Sequence, residues 1–597
     1  MSNTAATSSQ TPLVSTQGPV GQETLASLQK NQQLYQWAND DKFPPHVAEV
    51  PGSDSKSNFE IFNLTALLQT GGMQASHISA KYLRLVPETP VSLDQLVVHN
   101  QLQRAPPGIN NNMLFPFNIG DRVNKDWYSD AVFAQQHFTG TNATTITLAK
   151  DWITAFEASA EAVNNEEVLK LLRSSPATSF YVQDYSYFRK AMGVADKDDI
   201  TSGTGRYDVA PVALFHLPDD GKLHPIAIVI DYKGSMAESV VIFNKRLAPG
   251  NLAEEAQDWP WRYAKMCVQC ADWLRHEIAI HLVNTHLVEE ATIVAAHRTI
   301  SPYHIVYQLL HKHWETTLSL NDQARKGLVP KIILPVAGVT EDQLYAFTKH
   351  AYSSFNWTGL YIPKDLESRG FPPAQLKENK FHNYAYARNM APMWDTIRTF
   401  VAAVLTPRYD NNDKLVEDDK WIQAFCAEMR SPQRGKMPSF PEIKTLAQLI
   451  DTVTMCIHIA SPQHTAVNYL QQYYQVFVPN KPWALYSSPP KSLDELQTYK
   501  EQQLLDTLPF NEPRDWLYGA QLPYMLSFEV LGQNSLLSYA RDQFNSPISE
   551  IRNAARSFEQ NLIRLQDDFR EHSNDLDDKE TIYSVMDPAV TAVSILI

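Results

Sequence analysis

The sequence predicts one large, mainly α-helical domain with a small β element. Apolar residues recur with helical periodicity over most of the chain, one segment shows the pattern of paired strands, and no linker or internal repeat interrupts the chain after about residue 57. Hydrophobic residues make up 44% of the 597 residues and charged residues 20%, as in globular proteins with a large core. Residues 1–40 are rich in Ser, Thr, Gln and Asn and are expected to form a flexible polar tail, which leaves 41–597 as the domain.

The elements follow from local patterns. Two short β-branched runs flank Asp220-Gly221 within 206–232, which predicts a β-hairpin. The run from about 253 to 290 has no proline after Pro260 and predicts one long helix. No series of alternating strands precedes this helix, so an N-terminal β-sandwich is not expected. Further helices are predicted near 302–320, 416–430, 442–475 and 544–570.

Composition excludes several classes of protein. The chain has no apolar window of ~18 residues, so no transmembrane segment is expected. The first residues lack the basic and apolar regions of a signal peptide, so we expect a cytoplasmic protein. The net charge of −15 removes the electrostatic reason to expect nucleic-acid binding.

The cysteine content argues against a disulfide scaffold, since the chain has only four. Cys267 and Cys270 have the C-x-x-C spacing of metal and redox sites. They lie in a helical run without a second cysteine pair, so packing within a helix is the favoured interpretation.

Three histidines in the long predicted helix are the first candidate metal ligands. His276, His281 and His286 are spaced by five residues. Five residues of α-helix turn a side chain by ~500°, which leaves His281 and His286 about 140° apart. A π-bulge would bring them onto one face, so the spacing predicts a helix distortion. The zinc-protease motif H-E-x-x-H is absent. The alternative is that these are structural histidines of a long helix.

Two further segments offer ligands. His464 and Asn468 are one helical turn apart and share a face. The chain ends in eight residues without a charged side chain, 590–597, and a buried carboxylate at Ile597 would be costly unless it bound a cation. The alternative is an apolar tail in a groove with its carboxylate at the surface. Together these segments supply imidazole, carboxamide and carboxylate donors, which suit iron or manganese.

These residues resemble the signature of the lipoxygenase family: H-x4-H-x4-H, a later H-x3-N, and a C-terminal Ile. The segment from Trp127 to 146, the segment DGKLHPIAI (220–228) and the segment WPWRYAKMCVQCAD (259–272) also resemble the family. Two positions depart from it, with Ala143 in place of Pro and Val593 in place of Asn. The N-terminal β-sandwich of plant and animal members has no counterpart here, and the Trp127 segment resembles that of the short fungal members.

The resemblance implies a ligand set and a reaction. His281, His286, His464, Asn468 and the Ile597 carboxylate would bind one non-haem iron, with His276 not a ligand. O2 would be added to a polyunsaturated fatty acid such as linoleic or linolenic acid after hydrogen abstraction at an Fe(III)–OH centre, giving a hydroperoxide. No catalytic residue is expected beyond the metal centre.

Two alternatives to an iron enzyme are considered. The first is the same fold with manganese; the terminal ligand of the manganese branch is commonly Val, and Ile597 therefore favours iron. The second is a non-catalytic lipid-binding homologue, which the presence of all five ligand positions opposes.

The resemblance also implies roles for residues around the metal. Gln471 matches a glutamine that links the Asn ligand to the substrate cavity, although it is one of several glutamines in that segment. Glu277 is expected in the same network. Ala351 falls at the position that tracks stereochemistry and implies S-oxygenation, and Phe355 replaces the usual Leu and is expected to alter pocket depth or simply to pack. By similarity to short fungal members, a 13S-hydroperoxide of linoleate is expected.

Overall fold

The computed structural model describes residues 18–38, 40–54, 92–93, 95–96, 100, 123, 126–510, 512–527, 532–579 and 583–597. The prediction of a mainly α-helical fold with a small β element is confirmed. The helices before the central segment are α1 Gly18–Leu34, α2 Asp130–Thr139, α3 Asp151–Ala162, α4 Glu166–Ser174, α5 Phe188–Met192 and α6 Leu252–Gln257.

The β element is larger than one hairpin. The described strands are β1 Thr147–Leu148, β2 Phe180–Asp184, β3 Ile200–Thr201, β4 Tyr207–Asp208, β5 Val212–His216, β6 His224–Val229 and β7 Val241–Phe243. The five-stranded sheet is antiparallel, in the order β1-β2-β5-β6-β7, and a separate pair is β3-β4. The predicted hairpin is β5-β6, and its loop contains Gly221 at φ 78°, a left-handed conformation that favours glycine.

The long predicted helix is continuous from Trp259 to Thr299 but changes type in the middle. It consists of α7 Trp259–Leu274, the π-helix π1 Arg275–Leu287, and α8 Val288–Thr299. The sequence predicted a single bulge, whereas the π-helical conformation extends over 13 residues. In a π-helix, hydrogen bonds join residues five apart, so residues i and i+5 lie above one another.

The other predicted helices are present with interruptions. The segment 302–320 is broken by Thr316, whose φ is 67°, and the segment 442–475 contains a π-helix with Pro462, which cannot donate a backbone N–H. The elements between residues 305 and 474, including those that were not predicted, are α9 Ile305–Leu310, α10 Thr317–Gln323, π2 Ala324–Ile333, α11 Leu334–Val336, α12 Glu341–Ser353, α13 Ile362–Arg369, α14 Ala385–Arg408, α15 Asp413–Glu417, α16 Lys420–Arg430, α17 Leu446–His458, π3 Ile459–Gln463, α18 His464–Asn468 and α19 Gln471–Tyr474.

The remaining helices complete the fold around the centre. The helix π1 is buried along nearly its whole length and packs against α8, α12, α18 and π3. The helix α14 packs against α17 and against the long helix near the C-terminus. Within the described residues, no helix is long and apolar enough to cross a membrane. The helices after α19 are α20 Leu493–Gln497, α21 Glu501–Asp506, α22 Pro513–Met525, α23 Leu536–Asp542 and α24 Ser549–Asp575, and the short 3-10 turns are Ala177–Ser179, His311–Trp314, Pro373–Gln375, Asn379–Phe381, Gly532–Asn534 and Gln543–Asn545.

The segment predicted to be a flexible tail contains a helix. Residues 18–34 form α1, which packs against α8, and the amide nitrogen of Gln32 donates to the Arg298 carbonyl at 3.0 Å. Tyr35 follows α1, is buried, and stacks on His297 with ring centroids 3.9 Å apart. The part of the predicted tail before residue 18 lies outside the described residues. The packed part of the chain therefore begins before residue 41.

Candidate metal centre

Three histidine side chains converge in the interior of the domain. His281 and His286 come from π1, and His464 is the first residue of α18. Nε2 of His286 lies 3.1 Å from Nε2 of His281 and 3.2 Å from Nε2 of His464. All three side chains are buried. Within the described part of the chain, this is the one group of three or more His, Cys, Asp or Glu side chains placed to share a metal ion.

The spacing and protonation of the three rings fit a metal ion. Two metal–nitrogen bonds of about 2.1 Å at right angles place their nitrogens about 3.0 Å apart, close to the distances observed. Burial lowers the pKa of His286 to about 4. Burial, and then the neighbouring imidazoles, hold the pKa of His281 and of His464 well below the ordinary value. All three rings are therefore neutral at pH 7, the state that metal coordination requires.

Asn321 sets the tautomer of His286. The Asn321 amide nitrogen donates to the His286 carbonyl at 2.8 Å and to Glu290 Oε2 at 2.9 Å. Its oxygen, Oδ1, is then the acceptor 2.9 Å from His286 Nδ1. Because Nδ1 carries the hydrogen, the lone pair of Nε2 faces the cluster. Sequence analysis missed Asn321, since it lies 35 residues away on α10 and no local pattern marks it.

His276 has no free nitrogen for a metal. Its Nε2 lies 2.9 Å from the Val467 carbonyl, which can only accept, so Nε2 carries the hydrogen. Its Nδ1 then accepts from the amide nitrogen of Gln475 at 2.9 Å. Glu277 Oε1 lies 3.3 Å from the same Nδ1, beside His276. This geometry agrees with His276 as a non-ligand, and Glu277 contacts His276 rather than the three-histidine cluster.

Asn468 and Gln471 lie together as predicted, and both side chains are fully buried. The Gln471 amide nitrogen donates to Asn468 Oδ1 at 2.6 Å. Asn468 Nδ2 and Gln471 Oε1 have no hydrogen-bond partner. The two ends of an amide are assigned from such networks. With both amides turned over, Asn468 would donate to Gln471 and present its oxygen at the unpartnered position, where a metal ligand is expected.

The C-terminal tail is fixed to the helix that carries His464. Ser461 Oγ donates to the Ala592 carbonyl at 2.5 Å, and the Ala592 amide donates to Thr465 Oγ1 at 3.1 Å. Ile597 is buried and packs on Tyr469. The tail is therefore packed: Ala592, Val593, Ile595 and Ile597 are buried, and Val590 and Leu596 are partly buried.

The last residue reaches the histidine cluster. A main-chain oxygen of Ile597 lies within hydrogen-bonding reach of the His464 ring, and this contact opposes the lowering of the His464 pKa by burial. His313 Nδ1 bonds the Val593 carbonyl at 2.6 Å, and Thr316 Oγ1 donates to the Ile595 carbonyl at 2.9 Å. A chain-terminal oxygen beside the His464 imidazole fits a metal cation held by the three histidines. The residues present thus fit a metal with nitrogen and oxygen donors.

Of the two residues predicted to contact the substrate, Phe355 lines a cavity near the histidine cluster and Ala351 does not. A cavity of about 170 Å³ touches Ile280 and Gln463, the residues before His281 and His464. Phe355 lines this cavity. Ala351 is partly buried on α12 and packs against the core without lining the cavity. Its role in stereochemistry stays a prediction.

The C-x-x-C pair is part of the core. Cys267 and Cys270 lie on α7 and are fully buried, and burial raises the pKa of both thiols above the ordinary value. Thiols with this environment are inert. The structure agrees with the packing interpretation.

Comparison with known proteins identifies the family. Residues 37–586 match the family model described as Lipoxygenase. A manganese lipoxygenase of Pleurotus sapidus is 48% identical over 580 residues, covering 96% of this chain and 90% of that protein. Linoleate 9S-lipoxygenase 5 of Arabidopsis thaliana is 28% identical over 393 residues, covering 62% of this chain and 43% of that protein. The crystal structure of a fungal lipoxygenase from Fusarium graminearum superimposes with a TM-score of 0.86 at 36% identity, covering 97% of this chain and 99% of that one. The chain therefore belongs to the lipoxygenase family and is a metal-binding dioxygenase.

Proposed function

We propose that this lipoxygenase is a manganese enzyme that adds O2 to polyunsaturated fatty acids bearing a 1,4-pentadiene. The observation that carries the proposal is the buried convergence of the Nε2 atoms of His281, His286 and His464. Asn468 and the Ile597 carboxylate are the proposed remaining ligands. Five such ligands of a six-coordinate metal leave one position open, and an open position is the mark of a catalytic site.

The choice of manganese is a revision of the expectation from the sequence. Ile597 favoured iron because the terminal residue of the manganese branch is commonly Val. The Pleurotus sapidus relative, whose alignment covers 96% of this chain at 48% identity, is named a manganese lipoxygenase. This supports manganese as the first candidate. The donor set suits either metal. Iron is therefore the alternative.

The protein residues hold and shield the reacting groups. When bound, the metal supplies the one-electron chemistry that removes hydrogen from the doubly allylic carbon. Asn321 orients His286, and the bonds from Ser461 and Thr465 hold the tail against α18. The cavity that touches Ile280 and Gln463, the residues before His281 and His464, would contact the acyl chain through its apolar lining. These contacts fix the geometry before substrate enters.

The position and stereochemistry of oxygenation form a separate part of the proposal. We propose a 13S-hydroperoxide from linoleate, the S configuration on the resemblance at Ala351 and the 13 position on the similarity to short fungal members of the family. One relative is named a linoleate 9S-lipoxygenase, at 28% identity. Chiral chromatography of the product distinguishes the two. A 9-hydroperoxide would remove the 13S assignment without affecting the dioxygenase assignment.

The test of function combines metal analysis with a spectroscopic assay. Purified protein is expected to contain about one manganese per chain and to raise conjugated-diene absorbance with linoleate in air. Iron at the same stoichiometry, with the same activity, would establish the alternative metal. A metal-replete protein that binds linoleate but forms no diene would instead be a non-catalytic lipid-binding homologue.

A further inference from the structure

The cavity beside the histidine cluster is largely apolar but contains polar groups. Its apolar lining includes Ile280, Phe355, Leu360, Ile362, Met455 and Ile459. This lining suits the hydrocarbon part of a fatty acid, because burying apolar surface is favourable.

The described lining of this cavity contains neither lysine nor arginine. Its single carboxylate, Asp365, is bonded by Arg369 at 2.7 and 2.9 Å. An ionised carboxylate buried here would have no counter-charge, which is strongly unfavourable. The carboxylate end of a fatty acid is therefore not the group that this cavity accepts.

Three polar side chains in the lining lack hydrogen-bond partners. Thr144 Oγ1, Asn284 Oδ1 and His458 Nδ1 are buried and unpartnered. Tyr386 and Gln463 also line the cavity, but the Tyr386 hydroxyl donates to Gln463 Oε1 at 2.9 Å. Buried polar groups without partners are costly and call for an occupant that bonds them.

His458 is the most constrained of the three. It is the last residue of α17, is 2% exposed, and packs edge-on against Trp394 with ring centroids 5.4 Å apart. Burial lowers its pKa to about 3, so the ring is neutral at pH 7. A neutral imidazole both donates and accepts, and so it complements an uncharged oxygen group.

We propose that Thr144, Asn284 and His458 form a subsite that binds the hydroperoxide group of the product. The inference rests on the proposed function. The pentadiene of the substrate has no polar atom, so it leaves all three side chains unpartnered. The product carries a peroxide with one O–H donor and two acceptor oxygens, which can bond a hydroxyl, an amide oxygen and an imidazole. The subsite therefore binds product more tightly than substrate.

The test compares product affinity with substrate affinity. The probes are 9- and 13-hydroxyoctadecadienoic acid, which keep an oxygen on the chain but cannot react as peroxides. In the Thr144→Val and His458→Phe variants, the inhibition constant of the matching hydroxy acid is expected to rise about three- to tenfold, the effect of losing one hydrogen bond. The KM for linoleate is expected to rise by a smaller factor than the inhibition constant, because linoleate contacts the same cavity but forms no hydrogen bond with these side chains.

A matched control is present on the same helix. Thr454 is fully buried on α17, its Oγ1 is unpartnered, and it does not line the cavity. The Thr454→Val variant is expected to change neither constant. Unchanged inhibition constants in both test variants, or a parallel rise in KM and inhibition constant, would overturn the proposal. If His458→Phe does not fold, Thr144→Val carries the test, since it nearly preserves side-chain shape.

The failure of the subsite is distinguishable from failure of the proposed function. Wild-type protein that forms no conjugated diene contradicts the proposed function. Wild-type protein that forms diene while the variants keep wild-type inhibition constants contradicts only the subsite.

Discussion

Asn321 connects a candidate metal ligand to a buried ion pair. Its oxygen faces His286, its nitrogen bonds Glu290, and Arg325 Nη1 bonds the same Glu290 oxygen at 2.6 Å. Residues that bond the far nitrogen of a metal-bound histidine orient the ring and raise its basicity. Asn321 would therefore act on a bound metal through His286.

We predict that Asn321→Leu lowers metal affinity by about 10- to 100-fold, because His286 loses its tautomer and orientation. The measurement is metal content after dialysis against graded chelator. A spectroscopic readout separates positioning from general damage: the electron paramagnetic resonance signal of the residual bound metal should change in the variant. Asn480→Leu, a buried asparagine whose amide bonds Gln136 instead, is the control. An Asn321→Leu protein with wild-type metal content and an unchanged signal contradicts the prediction.

The residues around the metal show which parts of the site the sequence reveals. His281 and His286 are recognisable from their i, i+5 spacing in one helix, and His464 from its i, i+4 spacing to Asn468. Asn321 and His458 contact the site only through the tertiary fold, and neither has a spacing that predicts its neighbour. The candidate ligands could be predicted from spacing along the sequence. The residues that support them could not, because they contact the site only after the chain has folded.

At the scale of elements, π1 and the C-terminal tail build the site. The i, i+5 spacing in π1 predicted a distortion but not its length, because hydrogen bonding along a helix is cooperative and neighbouring turns adopt the same pattern. The tail was predicted to be buried from its lack of charge, and the structure shows it held by Ser461, Thr465 and His313. The partners of the tail could not be predicted from the sequence.

We predict that deletion of Ile597 abolishes metal retention, with at least a tenfold loss of bound metal, since the proposed carboxylate ligand then ends one residue short. The measurement is metal content by mass spectrometry on protein purified without chelator. Ile597→Val keeps the carboxylate and is expected to retain the metal. Equal metal content in the deletion variant and the wild type would show that the carboxylate is not a ligand.

For the molecule as a whole, the sequence predicted the fold class and most long helices. Periodicity without proline identified the central helix, and the Asp-Gly turn identified the β5-β6 hairpin. Two long helices were missed: α14 contains Pro392 and Pro407, and α1 lacks an apolar stripe. Tertiary packing outweighs local preference in both cases.

The proposed ligands come from three regions that are far apart in the sequence: π1, α18 and the C-terminus. A metal bound only by the folded state stabilises that state by about 2.7 kcal/mol when its concentration is 100 times the dissociation constant. We predict that chelation lowers the free energy of unfolding by about this amount, measured by urea denaturation with and without manganese. His464→Ala should unfold at the same urea concentration in both conditions. A wild-type curve that does not respond to the metal contradicts the prediction.

The buried hydrogen bonds of Glu290 affect how mutational data on this protein should be interpreted. Its carboxylate bonds Asn321, Arg325 and the backbone amide of Val47, and it is fully buried. In a saturation mutagenesis screen scored by enzyme activity, Glu290 should tolerate as few substitutions as a metal ligand does. Such a screen would add Glu290 to the five proposed ligands, although its carboxylate bonds the side chains of Asn321 and Arg325 and the backbone amide of Val47. The same library should therefore also be scored for protein abundance. Substitution of a metal ligand is expected to lower abundance less than substitution of Glu290, so this measurement separates Glu290 from the ligands.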